Sequence, residues 1–259
     1  MKLPLKIILV NRLAKLFGAL VKGFSFIFHF VFPKKRFIIP TQSDPLVKTK
    51  KNTKIPKIIW QTNYTNRVSL PVYCNYLFNR LISPDFEYRY VSTEDRLTFI
   101  KENSSTDIAE AYEKLKDGAA QADLWRMITL NHHGGIYMDI DAHAVWPISK
   151  MINEEDDEVF LLNKEHFTNY FIASAPQNRV LTKTIETIVK NIQDRNIGRG
   201  VYDLTGPAVF NNAIGEESVN HRYYKITCIQ GSFTNEHFQY IDKPRGKWTH
   251  AKKEDLLKD

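Results

Sequence analysis

The stretch Ala119 to Trp146, AAQADLWRMITLNHHGGIYMDIDAHAVW, joins a helix, a glycine turn and an acidic strand end, and it constrains the fold of this chain more than any other feature. Gln121 to Leu130 sets Leu124, Met127, Ile128 and Leu130 at helical spacing. Asp123 and Arg126, three apart, share another face, where an internal salt bridge is one reading. Gly134-Gly135 offers a helix-ending turn that only glycine adopts cheaply. The run Ile136 to Ile140 then alternates as a β-strand does, so Tyr137, Asp139 and Asp141 converge on one side. Two carboxylates on one face repel each other unless a divalent cation sits between them and an anionic substrate. Hard oxygen ligands suit Mg²⁺ or Mn²⁺.

The flanking sequence supplies the rest of an α/β domain. Lys57 to Gln61 and Glu87 to Val91 are expected as strands, with a helix over Leu70 to Ile82 between them. Ser92-Thr93-Glu94-Asp95 before Leu97 is an N-cap with acids in the first turn. Beyond the aspartates come an acidic loop, Glu154 to Glu158, a strand over Val159 to Asn163, and a helix over Asn178 to Asp194 that turns Leu181, Ile185, Ile188, Val189 and Ile192 to the core. Leu204 to Phe210, LTGPAVF, opens another helix with Pro207 at an early position. Strands alternating with helices predict a sandwich around a mainly parallel sheet.

Charge is unevenly distributed. The net charge of +7 gathers in the first 54 residues, where Lys2, Lys6, Arg12, Lys15, Lys22, Lys34, Lys35, Arg36, Lys48, Lys50, Lys51 and Lys54 face Asp44 alone. That asymmetry calls for an anionic partner, a membrane surface or a nucleic acid. Leu16 to Phe32 is apolar and aromatic but broken by Lys22 and His29, with basic residues on both sides. A segment of this kind suits the membrane interface better than a full crossing, and it favours membrane over nucleic acid. Residues 1–36 are therefore expected as a membrane-associating segment, 37–54 as a linker, and 55–259 as a catalytic domain. Cys74 and Cys228 are the two cysteines, which excludes a disulfide framework and a cysteine zinc site.

ADLWRMITLNHHGGIYMDID resembles the DXD sugar-binding region of glycosyltransferase family 32, with further matches at IPKIIWQT from Ile55 and at LTGPAVF from Leu204. The resemblance implies a GT-A fold, a UDP- or GDP-sugar donor, a glycan or glycolipid acceptor, Mn²⁺ or Mg²⁺, and retention of anomeric configuration. It also implies roles for residues. Asp139 and Asp141 would hold the metal and stabilise the departing diphosphate, with His250 of GKWTH as a candidate third ligand and His143 as an alternative to it. Asp123 and Arg126 would bind donor sugar and ribose, and Trp60 falls where relatives stack a ring on the base. Gly135, Tyr137, Thr205, Gly206 and Trp248 lie in the segments that form the donor site. For bacterial members the resemblance implies capsular polysaccharide or lipooligosaccharide synthesis at the cytoplasmic face of the inner membrane.

Two other functions compete with this one. Asp139-Ile140-Asp141 after a strand is similar to the haloacid-dehalogenase nucleophile motif. That class expects its motif after the first strand with Thr or Val close behind, whereas Ala142-His143-Ala144 follows here. A non-enzymatic nucleic-acid-binding protein would use the basic N-terminus, with binding that falls steeply with salt and without need of Asp141.

Overall fold

The computed structural model describes residues 4–49, 52–243 and 246–258. Lys2, Lys50 and Lys51 of the basic N-terminal stretch lie outside the described residues. The strands in chain order are β1 (Phe37–Ile38), β2 (Gln42–Ser43), β3 (Ile58–Asn63), β4 (Arg67–Val68), β5 (Glu87–Ser92), β6 (Gly135–Met138), β7 (Ala142–Ala144), β8 (Glu158–Asn163), β9 (His166–Ser174), β10 (His221–Tyr223) and β11 (Cys228–Gln230). The helices are α1 (Leu5–Val31), α2 (Leu70–Ile82), α3 (Thr93–Asn103), α4 (Thr106–Lys114), α5 (Gly118–His133), α6 (Arg179–Gln193), α7 (Val201–Leu204), α8 (Pro207–Ile214), α9 (Tyr224–Thr227) and α10 (Glu236–Gln239).

Seven strands form the central sheet in the order β10-β8-β9-β6-β3-β5-β2. The ladders β3/β5, β3/β6 and β8/β10 are parallel, whereas β2/β5, β6/β9 and β8/β9 are antiparallel. The α/β class holds, and the sheet is mixed. Its antiparallel part comes mostly from β8 and β9, a hairpin that replaces the helical crossover a parallel neighbour would need. Two apolar layers cover the sheet. One packs α5, α6 and α8 over one face through residues such as Leu124, Leu181, Ile188 and Phe210; the other gathers Ile59, Val72, Tyr88, Ile136 and Phe171 on the opposite face.

Local signals explain why the elements begin and end where they do. Ser92 caps α3 by accepting a hydrogen bond from the Asp95 amide, Asn178 caps α6 through Val180 and Leu181, and Asp117 caps α5 through Ala119 and Ala120. Gly134 ends α5 with φ of 66°, and a Cβ there would stand 2.7 Å from Pro56 Cδ. Positive φ and lack of space together demand glycine at this joint.

Residues 37–54 do not run unpaired: β1 lies antiparallel to β4, and β2 adds an antiparallel edge strand to β5. The N-terminal helix α1 is docked along the domain. Asn11 Nδ2 donates to Lys225 O at 3.0 Å near one end, and Leu70 N donates to His29 Nε2 at 3.0 Å near the other.

Candidate active site

The cleft of interest opens at the C-terminal ends of the parallel strands β3 and β6, where ligands bind in open α/β sheets. It encloses about 440 Å³ and is lined by Thr62 and Asn63 from the end of β3, Arg96 from α3, Asp123 and Arg126 from α5, and Tyr137 and Asp139 from β6 and the turn after it; Gln230, Tyr240 and Trp248 close the far wall. That volume falls in the range of small-molecule sites.

Asp139, Ile140 and Asp141 sit in a tight turn immediately after β6, not on the strand itself, with the Ala142 amide bonded to Asp139 O at 2.9 Å. The turn is held on every side. Asp139 N donates to Tyr170 O and Gly231 N donates to Asp141 O. Gln61 Nε2 donates to Asp139 O, and the buried Asn75 amide donates to both Ile140 O and Ala142 O at 2.9 Å. With its carbonyls occupied this way, the turn presents two carboxylates in fixed positions.

The carboxylates meet at one donor. Gln230 Nε2 lies 2.7 Å from Asp139 Oδ2 and 3.3 Å from Asp141 Oδ1. The other oxygen of Asp139 accepts from Tyr137 OH at 2.6 Å and lies 3.3 Å from Arg126 Nη1. Burial and the neighbouring Asp139 charge push the Asp141 carboxyl up to about 7. Among the described residues no third His, Cys, Asp or Glu joins the pair as a metal-binding group. Two hard carboxylates around a spot now filled by an amide N–H fit a divalent cation that completes its shell with water and substrate oxygens, as Mg²⁺ commonly does.

Beneath them lies a buried ion pair. Arg126 Nη2 is 3.0 Å from Asp123 Oδ1, and both side chains are under a tenth exposed, against 25% for Asp139. Asp123 also accepts from Asn169 Nδ2 at 3.0 Å and from Thr205 Oγ1 at 3.1 Å. Arg126 donates from Nε to Ala122 O and from Nη1 to Asn169 O, and its guanidinium stacks 4.2 Å from the Tyr137 ring centre. Burial raises the Asp123 carboxyl above its usual range, and the Arg126 charge opposes that rise.

Of the residues singled out in the sequence, Asp123, Arg126, Tyr137, Asp139, Asp141 and Thr205 are brought together here, and Trp248 stands 44% exposed on the cleft wall. Four others lie elsewhere. Trp60 is buried in the core, donates from Nε1 to Gly134 O at 3.0 Å and packs edge-on to Phe99 and Trp125, so no ring face is open for a base. Gly135 begins β6, about 13 Å from Asp139 at the usual rise per residue, and a Cβ there would meet Ile58 O at 2.8 Å. Its glycine serves the strand joint. Gly206 meets the α7 backbone, with a built Cβ 2.9 Å from Val201 O, and opens α8 instead of lining the cleft. His250 Nε2 lies 2.5 Å from Glu236 Oε1, a carboxylate partner that holds it away from a metal role.

His143, the alternative third ligand, is fully buried. Its ring is tied to Ala144 O and Ser232 Oγ and packed on Phe78 and Phe233, because β7 is covered on both sides. Gln230, Asn169 and Arg96 escaped the sequence reading. Gln230 and Asn169 are amides far along the chain from the motif they serve, and Arg96 looks in sequence like an ordinary helix-surface charge.

Residues 71–159 match the family described as glycosyltransferase sugar-binding region containing DXD motif. The chain carries a glycosyltransferase DXD region. It is a glycosyltransferase, and its curated relatives agree. An uncharacterized glycosyltransferase of Acanthamoeba polyphaga mimivirus is 29% identical over 195 residues, covering 73% of this chain and 76% of the relative. The initiation-specific alpha-1,6-mannosyltransferase of Schizosaccharomyces pombe is 23% identical over 248 residues, covering 83% of this chain and 58% of that protein. Among solved structures, the PaToxG glycosyltransferase superposes with a TM-score of 0.51 at 20% identity, over 63% of this chain and 70% of that one. The shared fold is GT-A.

Proposed function

We propose that this glycosyltransferase moves a hexose, with retention, from a UDP- or GDP-sugar to a glycan or glycolipid acceptor, using Mn²⁺ or Mg²⁺. The setting we assign is bacterial capsular polysaccharide or lipooligosaccharide synthesis, with the membrane surface as partner and the cytoplasmic face of the inner membrane as location. The observation that carries the chemistry is the convergence of Asp139 and Asp141 on a single amide donor above the buried Asp123–Arg126 pair.

In transfer from a nucleotide sugar, the bond between anomeric carbon and diphosphate breaks, and negative charge gathers on the leaving group. A bound divalent cation would supply Lewis-acid stabilisation of that charge. Asp139 and Asp141 are the residues that would hold it, at the position where Gln230 Nε2 donates to both. Tyr137 OH and Arg126 fix the orientation of the Asp139 carboxylate. Asp123 and the remaining edge of Arg126 offer charge-assisted hydrogen bonds to donor hydroxyls. Thr62, Asn63 and Arg96 line the same cleft and are the residues we assign to the nucleoside in place of the buried Trp60.

The test is a screen of UDP- and GDP-sugars for donor hydrolysis by the purified chain. One nucleotide sugar cleaved in preference to the others, to free sugar and nucleoside diphosphate, is the expected result. Hydrolysis of simple phosphomonoesters with no action on any nucleotide sugar would overturn the reading in favour of a phosphatase.

A further inference from the structure

Helix α1 is docked on the domain with its polarity reversed. The residues it buries are Asn11, Ala14, Gly18, Ser25 and His29, small or polar, at the spacing of one helix face. The opposite face carries Leu9, Leu13, Leu16, Leu20, Phe24 and Ile27, all exposed; Leu13, Leu16 and Leu20 are each 60% exposed or more. A helix that belongs only to a soluble domain turns its apolar stripe to the core, as α6 does with Leu181, Ile185, Ile188 and Ile192. Here large apolar side chains point outward around about half the circumference at 3.6 residues per turn, wider than the narrow seam of a two-helix coiled coil. Leu77 and Leu81, exposed on the neighbouring α2, extend the apolar surface beyond the helix.

Three observations select the occupant. No acidic residue precedes Asp44, and Lys6, Arg12 and Lys15 are exposed on α1 beside the apolar face, with Lys34 and Lys35 just past its end. Basic residues rimming an apolar helical face fit an anionic lipid surface. The helix has 27 residues, about 40 Å at 1.5 Å per residue, long enough to cross a bilayer. Yet the domain touches it from end to end: Lys6 stands over the Trp146 ring, Gly18 meets Ser232 O, and Phe26 packs on Phe238 with ring centres 4.6 Å apart. A crossing helix in this arrangement would drag Asn11, His29 and the folded domain into hydrocarbon.

We propose that α1 lies in the plane of an anionic lipid leaflet, apolar face down and without crossing it, while its polar face stays docked on the catalytic domain. This deepens the membrane reading above and is independent of donor chemistry. It also ties the membrane to the cleft, because α1 supports the loop that begins at Gln230: Lys22 Nζ donates to Gly231 O at 3.0 Å and Phe17 packs on Phe233.

Flotation of the full chain with preformed vesicles tests the proposal, comparing phosphatidylethanolamine vesicles that contain phosphatidylglycerol with neutral phosphatidylcholine vesicles. Binding to the anionic vesicles at least tenfold above the neutral ones is expected. The triple variant Leu13→Glu, Leu16→Glu, Leu20→Glu should lose it while keeping the melting temperature and donor hydrolysis, since the three side chains face away from the domain. In a Cys74→Ser background, a membrane-impermeant maleimide added outside should label Lys6→Cys and Lys34→Cys alike and leave Leu16→Cys protected.

Protection of Lys6→Cys with labelling of Lys34→Cys means a spanning helix and overturns the proposal. Concentration-dependent dimerisation without vesicle binding, abolished by the triple variant, overturns it in favour of a second copy of the chain. Vesicle binding without donor hydrolysis, or the reverse, separates a failure of one reading from a failure of the other.

Discussion

Two acidic regions of the cleft stand side by side and are built in opposite ways. On α5, Asp123 has its cation built in: Arg126 lies 3.0 Å away, and Asn169 and Thr205 also donate to the carboxylate, which keeps one lone pair on Oδ2 toward the cleft. In the turn after β6, Asp139 takes Tyr137, Gln230 at 2.7 Å and the edge of Arg126, while Asp141 takes a longer bond from Gln230 and its own backbone amide, with a like charge beside it. A carboxylate whose charge is already balanced serves as a fixed support. One left beside a like charge in partial burial is poised to take up an external cation. The motif alone treats its two aspartates as equivalent, and the structure divides them into one anchored residue and one open residue.

The largest effect should come from the open one. Asp141→Asn is expected to lower transfer by at least about 10²- to 10³-fold, with the melting temperature of the metal-free protein unchanged or raised, because a buried repulsion is removed. Steady-state kinetics and a thermal melt on the same preparation check both. A falling melting temperature with activity retained would erase the contrast between the two acids.

Next comes the anchored pair. Asp123→Ala removes the nearer carboxylate of the buried Arg126, leaving Asp139 at 3.3 Å, and should destabilise the fold by about 3 kcal/mol, read by urea unfolding. Arg126→Lys keeps the charge and loses the planar fork. Since that fork ties Ala122, Asn169, Asp123 and Asp139, a lower melting temperature is expected in any case, and the informative quantity is turnover measured well below it. A loss of about a hundredfold there assigns Arg126 to the donor, and unchanged turnover reduces it to a support.

A smaller effect follows pH. The folded chain holds the Asp141 proton up to about 7, whereas an unfolded one releases it near 4. The metal-free protein should therefore lose stability as pH rises between those values and level off above. Cation binding must displace that proton, so apparent Mn²⁺ affinity should fall about tenfold per pH unit below 7 and stay flat above it. Isothermal titration at pH 6 and pH 8 measures this; equal affinities would place the Asp141 proton elsewhere. Smallest of all, His250→Ala should change Mn²⁺ affinity by less than about twofold, because its ring is committed to Glu236. A tenfold loss would bring His250 back as a ligand.

Local chemistry was legible in the sequence wherever one stretch contains the whole cause. The spans of α2 and α6, the Ser92 cap, the glycine joint at Gly134 and the early helical Pro207 all match expectation. Misreadings came where the cause is tertiary. β9 carries no simple alternation because its second half is buried on both faces, and its pairing with β6 and β8 makes the sheet mixed. Trp60 is aromatic near a strand end, as a base-stacking residue would be, yet α3 and α5 close over it. Gln230 sits 91 residues from Asp139, and only the pairing of β11 with β7 brings it there. Nor does the sequence of α1 reveal which face the domain covers, since either face has the right periodicity and only docking chooses between them.

On the proposed mechanism, Asp139 and Asp141 together hold a divalent cation on which transfer depends. The most direct measurement is turnover of the preferred nucleotide sugar by EDTA-treated protein, followed by titration with Mn²⁺. Negligible turnover in EDTA, saturable recovery with Mn²⁺ in the unmodified chain, and no recovery in Asp141→Asn at any Mn²⁺ concentration are expected. Full turnover in excess EDTA, or Mn²⁺ recovery of equal size in Asp141→Asn, would contradict that mechanism.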